Sequence, residues 1–119
     1  MECTVRWMGN DAGMSFVAET GSGHAVVMDG APEAGGRNLG LRPMEMVLAG
    51  TGGCTAFDVV LILKKGRHAV SACDVSLKAE RAESDPKIFT HIHLHYRVKG
   101  KQLKPDVVAR AIELSKDKY

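Results

Sequence analysis

At 119 residues the chain has the length of one domain, and a net charge of +2 with no basic run longer than Lys64-Lys65 argues against a nucleic-acid binder. One tryptophan, two tyrosines and three phenylalanines leave no base-stacking platform. Three cysteines without metal-type spacing argue against a disulfide scaffold, and the start Met1-Glu2-Cys3-Thr4-Val5-Arg6 has no secretory pattern, so free thiols in the cytoplasm are expected.

Residues 2–8 alternate, with Cys3, Val5 and Trp7 on one face and Glu2, Thr4 and Arg6 on the other, which predicts a half-buried strand. Gly9 to Gly13 is a turn. Met14, Phe16 and Ala18 form the inner face of a second strand, and Val26 and Met28 that of a third, closed by Asp29-Gly30. The three read as an antiparallel meander. A glycine-rich loop from Ala31 to Leu41 follows, of a length that is often functional or mobile.

The stretch from Arg42 to Gly66 predicts the central helix. Pro43 suits a first helical position, and Lys64-Lys65-Gly66 suits a last turn and its cap. Its ~22 residues would run roughly 33 Å. Met44, Met46, Val47, Leu48, Phe57, Val59, Val60, Leu61, Ile62 and Leu63 cover nearly the whole circumference, the mark of a buried helix. A membrane span has this length, but Glu45, Asp58 and a glycine-threonine-cysteine centre oppose it. That centre, Ala49 to Ala56, has no large side chain. Its three glycines cost ~3 kcal/mol relative to alanine unless something packs closely against them. A second helix is the expected neighbour, and a monomer of this size could hardly cover such a helix, so a dimer is expected.

Residues 71–82 predict a long strand with Cys73, Val75, Leu77 and Ala79 on one face. A turn at Glu83 to Lys87 leads to residues 88–98, where Ile88, Thr90, Ile92, Leu94, Tyr96 and Val98 alternate with Phe89, His91, His93, His95 and Arg97; the two strands should pair. Pro105 opens a final helix in which Val108, Ala111, Ile112 and Ser115 share a face. It runs into Lys116-Asp117-Lys118-Tyr119 with no glycine cap. The expectation is one α+β domain over residues 1–119 whose last piece is missing.

Cys3 and Cys73, on apolar strand faces, read as core packing. Cys54 follows two glycines at the thin centre of the helix. It is either one more small residue at a tight helix crossing or a thiolate nucleophile, which needs a lowered pKa and access. His91, His93 and His95 share a strand face with spacing that suits zinc or copper, yet no carboxylate or cysteine adjoins them in sequence; a solvated face is expected, and no metal or cofactor. Asp58, four residues after Cys54, would raise the thiol pKa, so a capping or packing role suits it better. Glu45 lies nine residues before Cys54, on the opposite side of the helix at ~100° per residue. The two would share a pocket only across an antiparallel second copy.

The run Pro43-Met44-Glu45-Met46 … Gly52-Gly53-Cys54-Thr55-Ala56-Phe57-Asp58-Val59-Val60, between a strand meander and a long hairpin, resembles the OsmC/Ohr family of osmotically induced and organic-hydroperoxide-resistance proteins. Lys64-Lys65-Gly66-Arg67, Phe89-Thr90-His91-Ile92 and Leu114-Ser115 … Lys118-Tyr119 are most similar to its YhfA branch. The resemblance implies an intertwined homodimer in which central helices pack together inside wrapping sheets. It implies a thiol peroxidase acting on organic or hydrogen peroxide, with Cys54 as nucleophile, a carboxylate at the Glu45 position organising the site and an external thiol as reductant. It also implies an assisting arginine, for which Arg6, Arg37 and Arg42 are candidates, and a second cysteine that would fall beyond Tyr119. The other class open to such a chain is a non-catalytic dimer holding a small apolar ligand at its seam.

Overall fold

The computed structural model describes residues 1–116; the last three residues of the predicted Lys116–Tyr119 ending lie outside the described residues. The architecture is α+β, with two sheets and two helices: β1 (Cys3–Trp7), β2 (Ser15–Thr20), β3 (Ala25–Asp29), α1 (Pro43–Lys65), β4 (Ala69–Arg81), β5 (Phe89–Lys101) and α2 (Pro105–Lys116). The residues gather into two compact units, Met1–Val47 and the chain from Leu48 onward, and α1 contributes its first turn to the former.

The N-terminal unit is the predicted meander, ordered β1-β2-β3 and antiparallel throughout. Val26, Met28 and Phe16 are half-buried and Ala18 is buried, as their alternation requires. Cys3, however, is exposed, along with Val5 and Trp7 and every other residue of β1. Alternation identifies an apolar face but not its cover, and β1 is the edge strand of its sheet.

The 31–41 stretch is held in place rather than loose. Pro32–Ala34 forms a single 3-10 turn, and Leu41 bridges Met28 in parallel, its carbonyl accepting the Asp29 N–H at 2.8 Å. The organiser is Asp29, 1% exposed, whose carboxylate accepts backbone N–H groups from Gly30 at 2.7 Å, Leu39 at 3.1 Å and Arg37 at 3.3 Å. Gly36 is required because a Cβ there would overlap the Gly30 carbonyl.

Helix α1 begins as predicted. Pro43 needs no N–H partner, and the Glu45 carboxylate accepts the Arg42 N–H at 2.8 Å, the return half of a capping box. Its end differs by one residue. The left-handed position falls on Arg67 (φ 60°), not Gly66, with Arg67 N–H bonded to Lys64 O and His68 N–H to Leu63 O, a Schellman arrangement. Gly66 instead leaves room for the His68 ring, which a Cβ would meet at 2.9 Å.

In the C-terminal unit β4 and β5 pair antiparallel from Ala69↔Lys101 to Arg81↔Phe89. Two register shifts alter the expected alternation. The one near Val70/Ala72 puts both Ala72 and Cys73 on half-buried positions, and the one at Glu80/Arg81 leaves Ile88 and Thr90 exposed while Phe89 turns partly inward. The core is Val59 and Leu63 of α1 with Ala111 of α2, joined by Ile62, Val70, Cys73, Tyr96, Val98, Leu103, Val107 and Ile112.

Helix α1 is not buried all round within one chain. Its inner side carries Gly52, Thr55, Asp58, Val59 and Leu63, whereas Gly50, Gly53, Cys54, Phe57 and Leu61 form an exposed outer stripe. By length and composition α1 is also apolar enough to cross a membrane; a helix at the core of a folded protein meets the same criterion.

Candidate functional site

Cys54 stands on the outer stripe of α1, exposed, and four residues before buried Asp58. The three neighbouring glycines have two different reasons. A Cβ on Gly52 would meet Cδ1 of Leu77 on β4 at 2.6 Å, so this glycine admits a side chain of its own chain. A Cβ on Gly50 or Gly53 would meet nothing within 4 Å. Beyond Cys54 the stripe continues as a shallow groove of about 330 Å³ lined by Ala56, Phe57, Val60, Leu61 and Lys64.

On the inner side of α1, at the residue after Cys54, lies a largely buried polar cluster that alternation concealed. Thr55 Oγ1 is 2.7 Å from the Tyr96 hydroxyl of β5 and 2.7 Å from Ser115 Oγ of α2, and the Ser115 hydroxyl also lies 3.4 Å from the Thr55 carbonyl. The signal in the sequence was a tyrosine and a serine at inward positions, since a buried hydroxyl must find a partner.

Cys73 is half-buried, and burial, reinforced by neighbouring Asp74, pushes its thiol above the ordinary cysteine range. That opposes thiolate chemistry there and agrees with its predicted packing role. Burial works to raise the Asp29 carboxyl, but N–H groups of Leu39, Arg37 and Gly30 and the Ser15 hydroxyl outweigh it and hold it below the usual carboxylate value.

Glu45 is exposed, belongs to the N-terminal unit, and its described hydrogen bond is the cap on Arg42. The three arginines have separate tasks. Arg6 pairs with Glu19 at 2.7 Å on the surface, Arg37 donates to Asp11 O at 2.6 Å, and Arg42 donates to Asn38 Oδ1 at 2.9 Å. His91, His93 and His95 are exposed on β5 opposite Glu80, Lys78 and Ser76. Among the described residues no group of three or more His, Cys, Asp or Glu side chains is placed to hold a metal ion.

The family model described as OsmC-like protein matches residues 35–119. Protein YhfA of Escherichia coli K12 is 48% identical over 122 residues, covering 100% of this chain and 84% of that protein. The crystal structure of a hypothetical protein from Aquifex aeolicus VF5 superposes with a TM-score of 0.76 at 31% identity, over 99% of this chain and 80% of the other. An organic hydroperoxide resistance protein OsmC from Legionella pneumophila shares the fold with a TM-score of 0.69 at 14% identity, over 98% and 83%. With a matching family model over most of its length and a full-length relative at this identity, the chain belongs to the OsmC-like protein family.

Proposed function

We propose that this protein reduces organic hydroperoxides or hydrogen peroxide with Cys54 as nucleophile, in a cytoplasmic homodimer defending against oxidative and osmotic stress. The observation that carries the reading is the position of Cys54: exposed on α1 beside open glycine backbone, while Cys73 is half-buried with its thiol pushed up. Fold kinship with a Legionella protein described as an organic hydroperoxide resistance protein supports it. The Cys54 thiolate attacks one peroxide oxygen, the O–O bond breaks, and the leaving alkoxide (hydroxide from hydrogen peroxide) takes a proton to become an alcohol or water. Cysteine is oxidised to sulfenic acid as the peroxide is reduced. Two equivalents of an external thiol then return Cys54 to the thiol, releasing water and a disulfide.

The outer stripe is the surface for the second copy. Phe57, 71% exposed, and Leu61 flank glycines whose backbone lies bare, a combination suited to close helix approach. The family resemblance assigns to the Cys54 site a carboxylate at the Glu45 position, supplied by the second copy, and an arginine beside it. Full ionisation of an ordinary thiol speeds attack only about ten- to thirtyfold, and nucleophilicity falls with basicity, so these groups must hold the peroxide and stabilise its leaving oxygen. The apolar groove beyond Cys54 supports the second reading, a dimer binding a small apolar ligand without turnover.

Intact-mass spectrometry after one equivalent of cumene hydroperoxide separates the two. One oxygen atom, or its adduct with a sulfenic-acid trap, is expected in the wild type and absent in Cys54→Ser. Oxidation of Cys3 or Cys73 with Cys54 untouched would end the peroxidase reading.

A further inference from the structure

Because α1 is apolar around its circumference, burial alone does not choose which side faces β4, β5 and α2. Turning it by one residue, ~100°, would bury a different but comparably apolar set. Directional contacts must make the choice. Two such contacts lie close to Cys54 in the C-terminal unit, besides those of its neighbours Thr51 and Asp58: Leu77 entering the gap at Gly52, and the hydroxyl cluster on Thr55, itself only 3% exposed. The first tolerates adjustment, since a leucine methyl can swing. The second does not. Thr55 meets Tyr96 and Ser115 at 2.7 Å each, with Thr55 and Ser115 buried and Tyr96 half-buried. Turning the helix would carry Thr55 away from both partners, whereas the aliphatic contacts of Val59 and Leu63 would be exchanged for others.

We propose that the Thr55–Tyr96–Ser115 triad is a positioning device that selects the rotation of α1 and thereby sets Cys54 on the outer stripe. Thr55 follows Cys54 directly, so the helical backbone passes the position of one to the other. Buried polar groups that fix the register of apolar helices act by the same principle. The consequence for peroxide reduction rests on the proposed role of Cys54; the seating of the helix does not.

Peptide-resolved alkylation of the native protein by iodoacetamide tests the inference, because two cysteines serve as controls: Cys3 is exposed and Cys73 packs against the core. Thr55→Val removes the hydroxyl at nearly constant shape, and Thr55→Ser keeps it. In Thr55→Val the ratio of Cys54 to Cys3 alkylation rates should change by about threefold or more with Cys73 still slow, and Thr55→Ser should return it to wild type. A wild-type ratio in Thr55→Val with Cys73 still slow overturns the inference. If Cys73 becomes fast there, the fold has opened, and the ratio is read in Ser115→Ala, which leaves the Thr55–Tyr96 bond in place, with the same two outcomes. A parallel reaction with cumene hydroperoxide keeps this inference apart from the peroxidase reading. No oxidation of wild-type Cys54 defeats that reading while the alkylation ratio still decides the seating; where Cys54 is oxidised, Thr55→Val should slow the step about fivefold or more, since in-line attack depends on alignment. An unchanged oxidation rate counts against the triad.

Discussion

The two sides of α1 are built from the same residue types and have opposite surroundings. On the inner side Gly52 receives Leu77, Thr55 is hydrogen-bonded, and Val59 and Leu63 are core. On the outer side Gly50 and Gly53 face open space and Phe57 and Leu61 are exposed. A glycine count or an apolar pattern does not tell them apart. The difference lies in which neighbour the backbone admits: a side chain of the same chain on one side, and on our reading a second copy on the other.

The sharpest break of this comparison is Gly53→Leu. If the outer stripe is a seam, a leucine there blocks close approach and leaves Phe57 and Leu61 bare, so the variant should aggregate where the wild type scatters light as a dimer. A wild type that is a stable folded monomer at micromolar concentration would defeat the seam altogether.

A smaller effect comes from adding one methyl group to each side. Gly52→Ala gains ~1 kcal/mol of helix propensity but drives a Cβ against Leu77, and overpacking costs ~1–3 kcal/mol, so the net should run from neutral to ~2 kcal/mol destabilising. Gly53→Ala meets nothing in its own chain and would stabilise an isolated chain by up to ~1 kcal/mol. Where a second copy lies against it, that gain is lost and the dimer weakens. Urea unfolding at several protein concentrations reads both: a concentration-independent stabilisation by Gly53→Ala would show the outer side to be free.

Much of this arrangement was legible beforehand, and the misses share one cause. The order of strands and helices followed from alternation and from Pro43 and Pro105, which are local signals. Cys3 was expected inside because alternation names an apolar face without saying what covers it. The helix pattern predicted burial all round with a second copy as part of the cover, and one chain by itself leaves the outer side open. Asp29 was read as part of a turn with Gly30, yet it gathers N–H groups from as far as Leu39, a long-range role with no local mark. Thr55 and Ser115 lie 60 residues apart, so their bond was equally invisible, although each sat at a position that demanded a partner. Of the candidate site, Cys54 and its glycines were legible as residues; which glycine faces the chain and which faces outward was not.

The gentlest test sets the thiol of the inner core against that of the outer stripe. Cys73 packs against Val59 and Leu63, and burial with Asp74 beside it holds its folded pKa above the unfolded value. The sign follows from proton binding: between those two values the folded state keeps a proton that the unfolded state has released. Stability from the neutral thiol is therefore complete below the unfolded cysteine pKa and is lost as pH rises through the folded one. Thermal unfolding from pH 7 to pH 10 should show a small alkaline loss in the wild type that is reduced in Cys73→Ala relative to that variant's own neutral value. Because Cys73 is only half-buried, water screens part of the effect, and the loss should be small. Equal slopes in the wild type and Cys73→Ala would mean that the inner thiol is solvated as freely as the outer one, and that the contrast between the two sides stops short of Cys73.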